Sequence, residues 1–445
     1  MDAFVFGDYH LLEDLTGVDF SYRIDRGSES LPFVERISFP STLKNPALQT
    51  DSSFHELLHG VHIALGISYW KTYCPKEIIF STYSISPDQA HFWDNVYTKG
   101  LGEFFYRNQI DFRNLIHFPS DSSQIVVPKK LTQNTEYLLG VGGGKDSLVS
   151  AELLKKNNIP FKGFVVETQK PYPLIDEVLN TMGVSAIRIK RTIDPRLFHI
   201  NSREDSFNGH IPISLIYAFL GSLSSVWLGY NGLIVSNERS ANEGNREYLG
   251  VQINHQWSKS FEFESMMQGY IESIWSSGLI YFSLIRPLSE YLVAKFFSQY
   301  HQYFEVFSSC NRNFSITQLA EKRWCGNCPK CAFVFLLLAV HLKRDEVIRI
   351  IGSNLLDRAD LIPLYQKLMG LTGAKPFECV GTYDEVNFAL YQIDKDGQFS
   401  DSPVIQMAKD SLWNGIDVKA VSQSIMHIDK TVLPLPFQSI TYESK

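Results

Sequence analysis

A glycine-rich segment at residues 140–147 carries the clearest chemical signal in this chain. It reads Gly-Val-Gly-Gly-Gly-Lys-Asp-Ser and follows the apolar run Tyr137-Leu138-Leu139, which predicts a turn between a strand and a helix that begins near Asp146. Glycines lack a Cβ and therefore let backbone N–H groups approach an anion, while the start of a helix adds a partial positive charge. The segment predicts a phosphate-binding loop.

The spacing of this loop differs from two common phosphate-binding patterns. A Walker A loop, G-x-x-x-x-G-K-S/T, would need a glycine at Leu139 and a hydroxyl residue at Asp146. The dinucleotide pattern G-x-G-x-x-G would need a third glycine where Lys145 stands. The loop instead resembles the pyrophosphate loop (PP-loop) of ATP pyrophosphatases, S-G-G-x-D-S, with Gly142 replacing the serine. This resemblance implies that the loop holds the β- and γ-phosphates of ATP while a substrate oxygen attacks the α-phosphate.

The same resemblance implies roles for the loop residues. The expected nucleotide-binding residues are Gly142, Gly143, Gly144, Lys145, Asp146 and Ser147. Lys145 would neutralise phosphate, and Asp146 would help to place Mg²⁺, which balances charge on the departing pyrophosphate. We therefore count Lys145 and Asp146 among the candidate catalytic residues. Glu167, which ends the next predicted strand, either faces the nucleotide or is a solvated strand-end carboxylate.

Four of the six cysteines form a second group. They are Cys310, Cys325, Cys328 and Cys331. Their spacing, C-x14-C-x2-C-x2-C, suits thiolates that converge on one ion, and four thiolates would make a structural Zn²⁺ site with no position for water. An iron–sulfur cluster and unligated thiols remain alternatives, although Phe335 stands where the ferredoxin pattern needs its fourth cysteine. We interpret the isolated Cys74 and Cys379 as core or incidental residues.

Polar residues after the fourth predicted strand supply candidates for substrate binding and proton transfer, because loops mounted on a rigid sheet often carry such groups. The candidate substrate-binding residues are Asn237, Arg239, Asn242 and Asn245. The candidate proton-transfer residues are His255, Lys259 and Glu262. Arg239 is suited to clamp a carboxylate or a phosphate, and the other side chains are common general acids and bases. For any single residue, the alternative is an ordinary solvated loop.

The elements that must position these groups alternate between strand and helix from residue 135 onward. The predicted strands are 137–141, 164–166, 186–189 and 233–235, and the predicted helices are 146–157, 173–182 and 213–228. Strands separated by helices of this length favour right-handed βαβ units and a parallel sheet. Ligands of such sheets bind beyond the carboxyl ends of the strands, where the glycine-rich loop falls.

The pattern predicts three regions within an α/β protein. Residues 1–130 are expected to form a smaller mixed α+β N-terminal domain with a possible role in substrate recognition. Its predicted strands are 18–24 and 36–39, and its predicted helices are 54–69 and 91–106. Residues 131–340 are expected to form the PP-loop (HUP-like) adenine-nucleotide-binding catalytic domain with the cysteine group, and residues 341–445 a C-terminal helical extension.

Composition narrows the class of protein. The chain has 445 residues, of which 44% are hydrophobic and 20% charged, as in ordinary globular proteins. The net charge of −7 gives no bulk attraction to nucleic acid. Residues 211–235 carry no charge over 25 positions, but serines, Pro212 and two glycines favour a buried helix and strand over a membrane span. With no secretory signal visible at the N-terminus, we expect a cytoplasmic enzyme without a membrane partner.

Taken together, these motifs resemble the ATP-dependent UDP-N-acetylmuramoyl-L-alanyl-L-glutamate epimerases of bacterial cell-wall synthesis. The matching segments are the Gly-Gly-Gly-Lys-Asp-Ser loop and residues 236–245, 255–264, 286–290 and 324–331. The phosphate loop and the cysteine group also occur in 7-cyano-7-deazaguanine synthases. The middle segments and the additional N-terminal region favour the epimerases.

The resemblance implies a small UDP-sugar dipeptide substrate, whose terminal L-Glu becomes D-Glu through an acyl-adenylate with release of AMP and diphosphate. ATP as co-substrate and Mg²⁺ would suffice, with no redox cofactor or pyridoxal. One alternative is a PP-loop enzyme of nucleoside modification, which makes a deazapurine precursor or thiolates tRNA. Another is a non-catalytic interaction protein that binds ATP. The oligomeric state is not predicted.

Overall fold

The computed structural model describes residues 2–132, 135–168, 171–314, 322–412 and 417–442. The strands are β1 (Ala3–Leu11), β2 (Gly17–Arg26), β3 (Glu29–Ser38), β4 (Glu77–Phe80), β5 (Lys129–Lys130), β6 (Tyr137–Gly140), β7 (Phe161–Thr168), β8 (Ala186–Thr192), β9 (Gly232–Val235), β10 (Arg246–Tyr248), β11 (Val251–Ile253), β12 (Trp275–Ser277) and β13 (Ile280–Ser283). The helices are α1 (Ser52–Trp70), α2 (Pro87–Gly100), α3 (Gly102–Asn108), α4 (Lys145–Lys156), α5 (Pro173–Met182), α6 (Arg196–Ile200), α7 (Ile213–Leu228), α8 (Phe261–Ile274), α9 (Glu290–Phe297), α10 (Pro329–Ala339), α11 (Arg344–Ile351), α12 (Ile362–Leu368), α13 (Tyr383–Asp396), α14 (Pro403–Leu412) and α15 (Val418–Met426).

A large, mostly parallel sheet forms the centre of the fold. Its strand order is β13-β9-β6-β7-β8-β3-β2-β1-β4. The strands from β13 to β8 run parallel to one another, with helices between β6, β7, β8 and β9 along the chain. The prediction of a mixed α/β protein with parallel βαβ units is confirmed for this part of the sheet.

The N-terminal strands extend the same sheet. β3 pairs antiparallel with β8, and β2 and β1 follow as antiparallel neighbours. At this junction Glu35 of β3 and Arg191 of β8 form a buried ion pair, with 2.6 Å between Oε1 and Nε. The region expected to form a separate N-terminal domain therefore shares its sheet with the nucleotide-binding region. The predicted divisions at residues 130 and 340 stay predictions.

Successive residues of the central strands point into two apolar cores, one on each face of the sheet. Leu138 belongs to the core that contains α1 and α7, and Leu139 to the core that contains α4, α9 and α10. The uncharged segment 211–235 forms the buried helix α7, a turn at Gly229 and strand β9, as predicted. Within the described ranges, the helices include none that is both long and apolar enough to cross a membrane.

The C-terminal helices pack onto the second core and reach the polar segments. α13 packs against α10 and α9. In its first turn, the carboxylate of Glu385 accepts hydrogen bonds from Ser240 Oγ and from the backbone N–H of Glu290. Further along, the ring of Phe437 packs on Phe282 of β13, with 4.4 Å between ring centroids. The C-terminal region thus contacts both the sheet and the loops at its carboxyl edge.

Candidate functional site

The glycine-rich loop leaves the carboxyl end of β6 and enters α4, where the sequence predicts it. Gly143 has a φ of +79°, and a Cβ at this position would lie 2.4 Å from Leu174 Cδ2, so the backbone requires glycine. A Cβ on Gly142 would meet no described atom within 4 Å, so this side of the loop is open. Gly144 is the N-cap of α4, and no described side chain caps the helix. The first backbone N–H groups of α4 are therefore available to an anion.

A cavity of about 350 Å³ lies beside the loop, at the carboxyl ends of β6, β7 and β9. Its walls are mainly apolar and aromatic, and they include Val141, Phe164, Val166, Ile213, Tyr217 and Tyr281. Gly142 and Asn237 also line it, so the open side of the loop faces the cavity. An apolar cavity with few polar groups suits a flat aromatic base. The arrangement therefore accommodates a nucleotide whose phosphates lie at the loop.

Lys145 is buried at the start of α4. Its side chain is 2% exposed, and its ammonium group contacts the carboxylates of Asp146 and Glu290. The role of Lys145 at a phosphate stays a prediction, and in the structure its ammonium group is engaged by these two acidic side chains. Burial raises the pKa of Glu290 to about 8; Lys145 opposes this shift, and Glu238 and Asp146 add to it. Three acidic groups, Asp146, Glu238 and Glu290, thus interact here with Lys145, Lys259 and Lys330.

Asp146 retains access to the cleft, with 23% of its side chain exposed. Burial raises the pKa of Asp146, but the nearby Lys145 and Lys330 together outweigh this effect. The net pKa is lowered, so the group is a carboxylate. Mg²⁺ at nucleotide sites is usually held by one or two carboxylates together with phosphate oxygens. Asp146 fits that role, because it adjoins the loop and is accessible.

Two other predicted nucleotide-binding residues make local contacts. Ser147 Oγ donates a hydrogen bond to the carbonyl of Gly144, at 3.1 Å. Glu167, near the end of β7, accepts a hydrogen bond from Arg188 Nη1 at 2.7 Å, which favours the interpretation of a strand-end carboxylate paired with a neighbour. Their contact with a nucleotide stays a prediction.

The predicted substrate-binding residues divide between the cavity and the surrounding framework. Asn237 lines the cavity. The guanidinium of Arg239 donates to backbone carbonyls at the end of α15, at 2.8 and 2.9 Å, and Asn242 Oδ1 accepts from the first N–H of α8, at 2.6 Å. Arg239 and Asn242 thus hold neighbouring segments together, and their contact with substrate stays a prediction.

Asn245 connects the second polar segment to a C-terminal loop, so it too is a framework residue. Its Oδ1 accepts from the backbone N–H of His255 at 2.8 Å, and its Nδ2 donates to the carbonyl of Pro376 at 2.9 Å. Close to this connection, Lys259 Nζ lies 3.3 Å from Cys379 Sγ. The interpretation of Cys379 as an incidental residue is wrong, since the thiol is half-buried beside two of the predicted proton-transfer residues.

The third predicted proton-transfer residue lies elsewhere. The Glu262 carboxylate contacts the ammonium of Lys99 and accepts from Trp257 Nε1 at 2.8 Å, and half of its side chain is exposed. The structure therefore brings His255 and Lys259 together but separates Glu262 from them.

A residue of the N-terminal region completes the surroundings of His255. Nδ1 of His255 contacts the carboxylate of Glu103, on α3, and His210 lies 3.5 Å from the same carboxylate. Burial lowers the pKa of His255, but its interactions with Cys379 and Glu103 raise it to about 9. The imidazole is therefore protonated at neutral pH. Nothing in the sequence near Glu103 signals this role.

Arg286 holds the two polar segments in position. It donates to the carbonyl of Glu238 at 2.8 Å and to the carbonyl of Lys259 at 2.6 Å, and it forms a buried ion pair with Glu264 at 2.7 Å. Both Arg286 and Glu290 were missed as individual site residues. Their place in the 286–290 segment, which carries part of the family resemblance, was the available signal.

The four grouped cysteines converge in space. The sulfur atoms of Cys310, Cys325, Cys328 and Cys331 all lie within 4.8 Å of one another. Two of the distances are 3.7 Å, from Cys325 to Cys331, and 3.4 Å, from Cys328 to Cys331. A tetrahedral zinc with Zn–S bonds of about 2.3 Å separates its sulfurs by about 3.8 Å. The donor set therefore fits one ion; an iron–sulfur cluster would hold its thiolates further apart, because each binds a different iron.

Comparisons with known proteins cover nearly the whole chain. Residues 1–284 match the family model of the MurL N-terminal domain, and residues 306–422 match that of the MurL C-terminal domain. A protein from Salinispora tropica, named UDP-N-acetyl-alpha-D-muramoyl-L-alanyl-L-glutamate epimerase, is 35% identical over 93% of this chain and 89% of its own length. Proteins with the same name from Micromonospora sp. and Xanthomonas oryzae are also 35% identical, over 93% and 89% of this chain and 91% and 86% of their own lengths.

Among solved structures, the U34-tRNA thiolase NcsA from Methanococcus maripaludis, with its 4Fe-4S cluster, is 14% identical. The match covers 71% of this chain and 83% of that chain, with a TM-score of 0.20, which is too low to indicate a shared fold.

Proposed function

The chain belongs to the MurL family, and from this premise we propose that it is an ATP-dependent isomerase that converts the terminal L-Glu of UDP-N-acetylmuramoyl-L-alanyl-L-glutamate to D-Glu. The observation that carries this proposal is the 35% identity to epimerases so named, which extends over 86% to 91% of their lengths. The reaction belongs to peptidoglycan biosynthesis, and we place it in the cytoplasm, where ATP and UDP-linked sugars are available.

The phosphate loop supports activation of the substrate by adenylation. The base of ATP would occupy the apolar cavity, and its phosphates would meet the open side of the loop at Gly142 and the first N–H groups of α4. Asp146 would hold Mg²⁺ against the phosphates. The α-carboxylate of the glutamate attacks the α-phosphorus, an acyl–O–P bond forms, and pyrophosphate leaves.

Adenylation makes the later proton transfer feasible. Removing the Cα proton beside a free carboxylate would build a dianion, whereas the mixed anhydride carries no charge on its acyl group and its Cα proton is more acidic. Return of a proton to the opposite face inverts the centre, and hydrolysis releases AMP and the D-Glu product. His255 and Lys259, whose pKa values are raised, would supply positive charge to stabilise the negative charge that develops on the acyl oxygen.

We further propose that the four cysteine thiolates hold one structural Zn²⁺. The sulfur separations support a single tetrahedral ion, and all four ligand positions are filled by protein. When bound, the metal would hold Cys310 against the segment from Cys325 to Cys331 and would supply no chemistry at the reacting carbon.

The proposal is tested by incubating the protein with ATP, Mg²⁺ and the UDP-linked dipeptide, followed by acid hydrolysis and chiral chromatography of the glutamate. We expect D-Glu to appear together with pyrophosphate. Asp146→Asn should abolish both products, whereas the exposed control variant Asp111→Asn should retain them. Unchanged L-Glu, combined with ATP cleavage on a deazapurine carboxylate, would assign the protein to nucleoside modification instead.

A further inference from the structure

Cys379 lies where three segments of the chain meet. Its sulfur is 3.3 Å from Lys259 Nζ and also interacts with His255. His255, Lys259 and Cys379 are each partly exposed residues, so a bound molecule can reach this cluster. The pKa of Lys259 is raised mainly by Cys379 and additionally by Asp146 of the phosphate loop. Lys259 therefore links the thiol electrostatically to the carboxylate of the phosphate loop.

The charges that surround Cys379 favour its thiolate form. Burial alone would raise the pKa of Cys379, but Lys259, Lys330 and His255 together lower it to about 5. These cations come from separate elements: the segment before α8, the first turn of α10 and the loop after β11. Glu378, the neighbour of Cys379 in the chain, is the opposing carboxylate. A thiolate so placed is present in its anionic form at neutral pH and is available to accept a proton.

The residues predicted from sequence to transfer the proton are unsuited to remove it. His255 is already protonated at neutral pH, because Cys379 and Glu103 outweigh the effect of its burial. Lys259 is an ammonium for a related reason, since Cys379 raises its pKa. The carboxylate of Glu262 is engaged by Lys99 outside this cluster. Cys379 is the anionic group in contact with both cations.

We propose that Cys379 is the catalytic base that removes the Cα proton of the activated glutamate. This inference rests on the proposed function. The Cα–H bond of the L-glutamyl adenylate breaks, its proton forms an S–H bond on Cys379, and its electron pair moves onto the carbonyl oxygen to give an enolate. A solvent-derived proton then adds to the opposite face, and the thiol returns its own proton to solvent.

The neighbours of Cys379 act as positioning residues in this step. When the thiolate takes up the proton, its charge is lost, and the cations of Lys259 and His255 are left to stabilise the enolate oxygen. Glu103 and the side chain of Asn245 fix His255 through its ring and its backbone N–H. The N-terminal region thereby contributes to the proton-transfer site through Glu103.

The decisive experiment separates proton transfer from adenylation in the variants Cys379→Ala and Cys379→Ser, with Cys74→Ala as a control at a buried cysteine outside the cleft. Dipeptide-dependent ATP–pyrophosphate exchange should stay within about fivefold of the wild type. Epimerisation, and incorporation of deuterium from D₂O at the glutamate Cα, should fall by roughly 10²–10⁴-fold, the usual contribution of a general base.

Each outcome of this experiment is informative. Deuterium incorporation that survives in Cys379→Ala overturns the proposal, and so does loss of pyrophosphate exchange in a correctly folded Cys379→Ser protein, which would indicate a role in binding. A wild-type protein that exchanges pyrophosphate but neither epimerises nor exchanges the Cα proton refutes the proposed function itself.

Alkylation of the wild-type protein by iodoacetamide provides a readout that needs no variant. A thiol with a pKa of about 5 is fully ionised above pH 6, so the alkylation rate of Cys379 should be flat from pH 6 to 9 and fall as the pH drops through 5. ATP together with the dipeptide should protect the residue. A rate that rises about 25-fold between pH 7 and pH 9, as for an ordinary thiol with a pKa of about 8.5, overturns the proposal.

Discussion

At the scale of single residues, Gly142 and Gly143 are neighbours with different constraints. Gly143 has a positive φ, and a Cβ would strike Leu174, whereas a Cβ on Gly142 would point into the open side of the loop. The ATP pyrophosphatase motif has a serine at the position of Gly142, and the open space there shows that the backbone itself would accept one. Gly142 therefore leaves open space beside the loop, whereas Gly143 allows the left-handed backbone conformation that the loop adopts.

We expect Gly143→Ala to destabilise the protein and to weaken ATP binding. The left-handed conformation costs an L-residue about 1–2 kcal/mol, before any displacement of Leu174. The matched variant Gly142→Ala should change the free energy of unfolding by less than about 0.5 kcal/mol. Urea unfolding and titration calorimetry with ATP measure the two effects. Equal losses in both variants would show that the difference in backbone conformation is unimportant.

The sequence identifies those site residues that lie within one short segment. The glycine-rich loop and the cysteines from Cys325 to Cys331 can be recognised in the sequence, because each motif is defined by residue types at a fixed short spacing. Glu103, Glu290 and Cys379 are not readable in this way, since each joins the site from a different part of the chain. Glu103 lies 152 positions from His255, and Cys379 lies 120 positions from Lys259. Only the fold specifies such pairs.

At the scale of elements, the segment that leads to Cys310 is hydrogen-bonded to the phosphate loop. The backbone N–H of Ser308 donates to the carbonyl of Gly143 at 3.0 Å, and Ser308 precedes Cys310 by two residues. On the far side of the cluster, Cys328 caps the first turn of α10, which carries Lys330 towards Cys379. A metal at the cysteines would therefore fix both the loop and a cation of the cleft.

Replacing a cysteine ligand should thus impair nucleotide binding at a distance. We expect wild-type protein to contain about one zinc per chain, and Cys325→Ser to lose the zinc and to bind ATP at least tenfold more weakly. Cys74→Ser, at a cysteine outside the cluster, should change neither property. Elemental analysis and calorimetry provide the measurements. Iron with acid-labile sulfide in the purified protein would exclude the zinc assignment.

The boundary between α2 and α3 is a feature that the local sequence pattern does not predict. Residues 91–106 have the apolar spacing of one helix, yet the structure divides them into α2 and α3 at Leu101. Gly100 packs closely against Pro212 and Gly102 against Ile253, with 3.0 and 3.1 Å between each neighbour and an added Cβ. These contacts join segments more than 100 residues apart. The two glycines weaken the prediction of one continuous helix, but the tertiary packing determines where the helix is interrupted.

At the scale of the whole molecule, the sheet unites regions that composition suggests are separate. The N-terminal strands differ in pattern from the βαβ units, and this difference predicts two domains. That division stays a prediction; in the structure β3 pairs with β8, so strands of both regions belong to one sheet, and the buried Glu35–Arg191 ion pair lies where they meet. Such a pairing is invisible in the sequence, because strand patterns indicate which residues form strands but not which strands are neighbours.

This joint predicts that the molecule unfolds as one unit across the β3–β8 boundary. Glu35→Gln would leave the Arg191 guanidinium buried without its charged partner, so we expect a loss of about 3–5 kcal/mol in the free energy of unfolding. Asp25→Asn is the matched control, because the Arg23–Asp25 pair is 48% and 34% exposed and such pairs contribute about 0–1 kcal/mol. Circular dichroism and loss of ATP binding should follow a single shared urea transition, shifted together in Glu35→Gln. If the variant instead unfolds in two steps while ATP binding keeps the wild-type midpoint, the N-terminal strands form an independent domain and the continuous sheet does not couple the two regions.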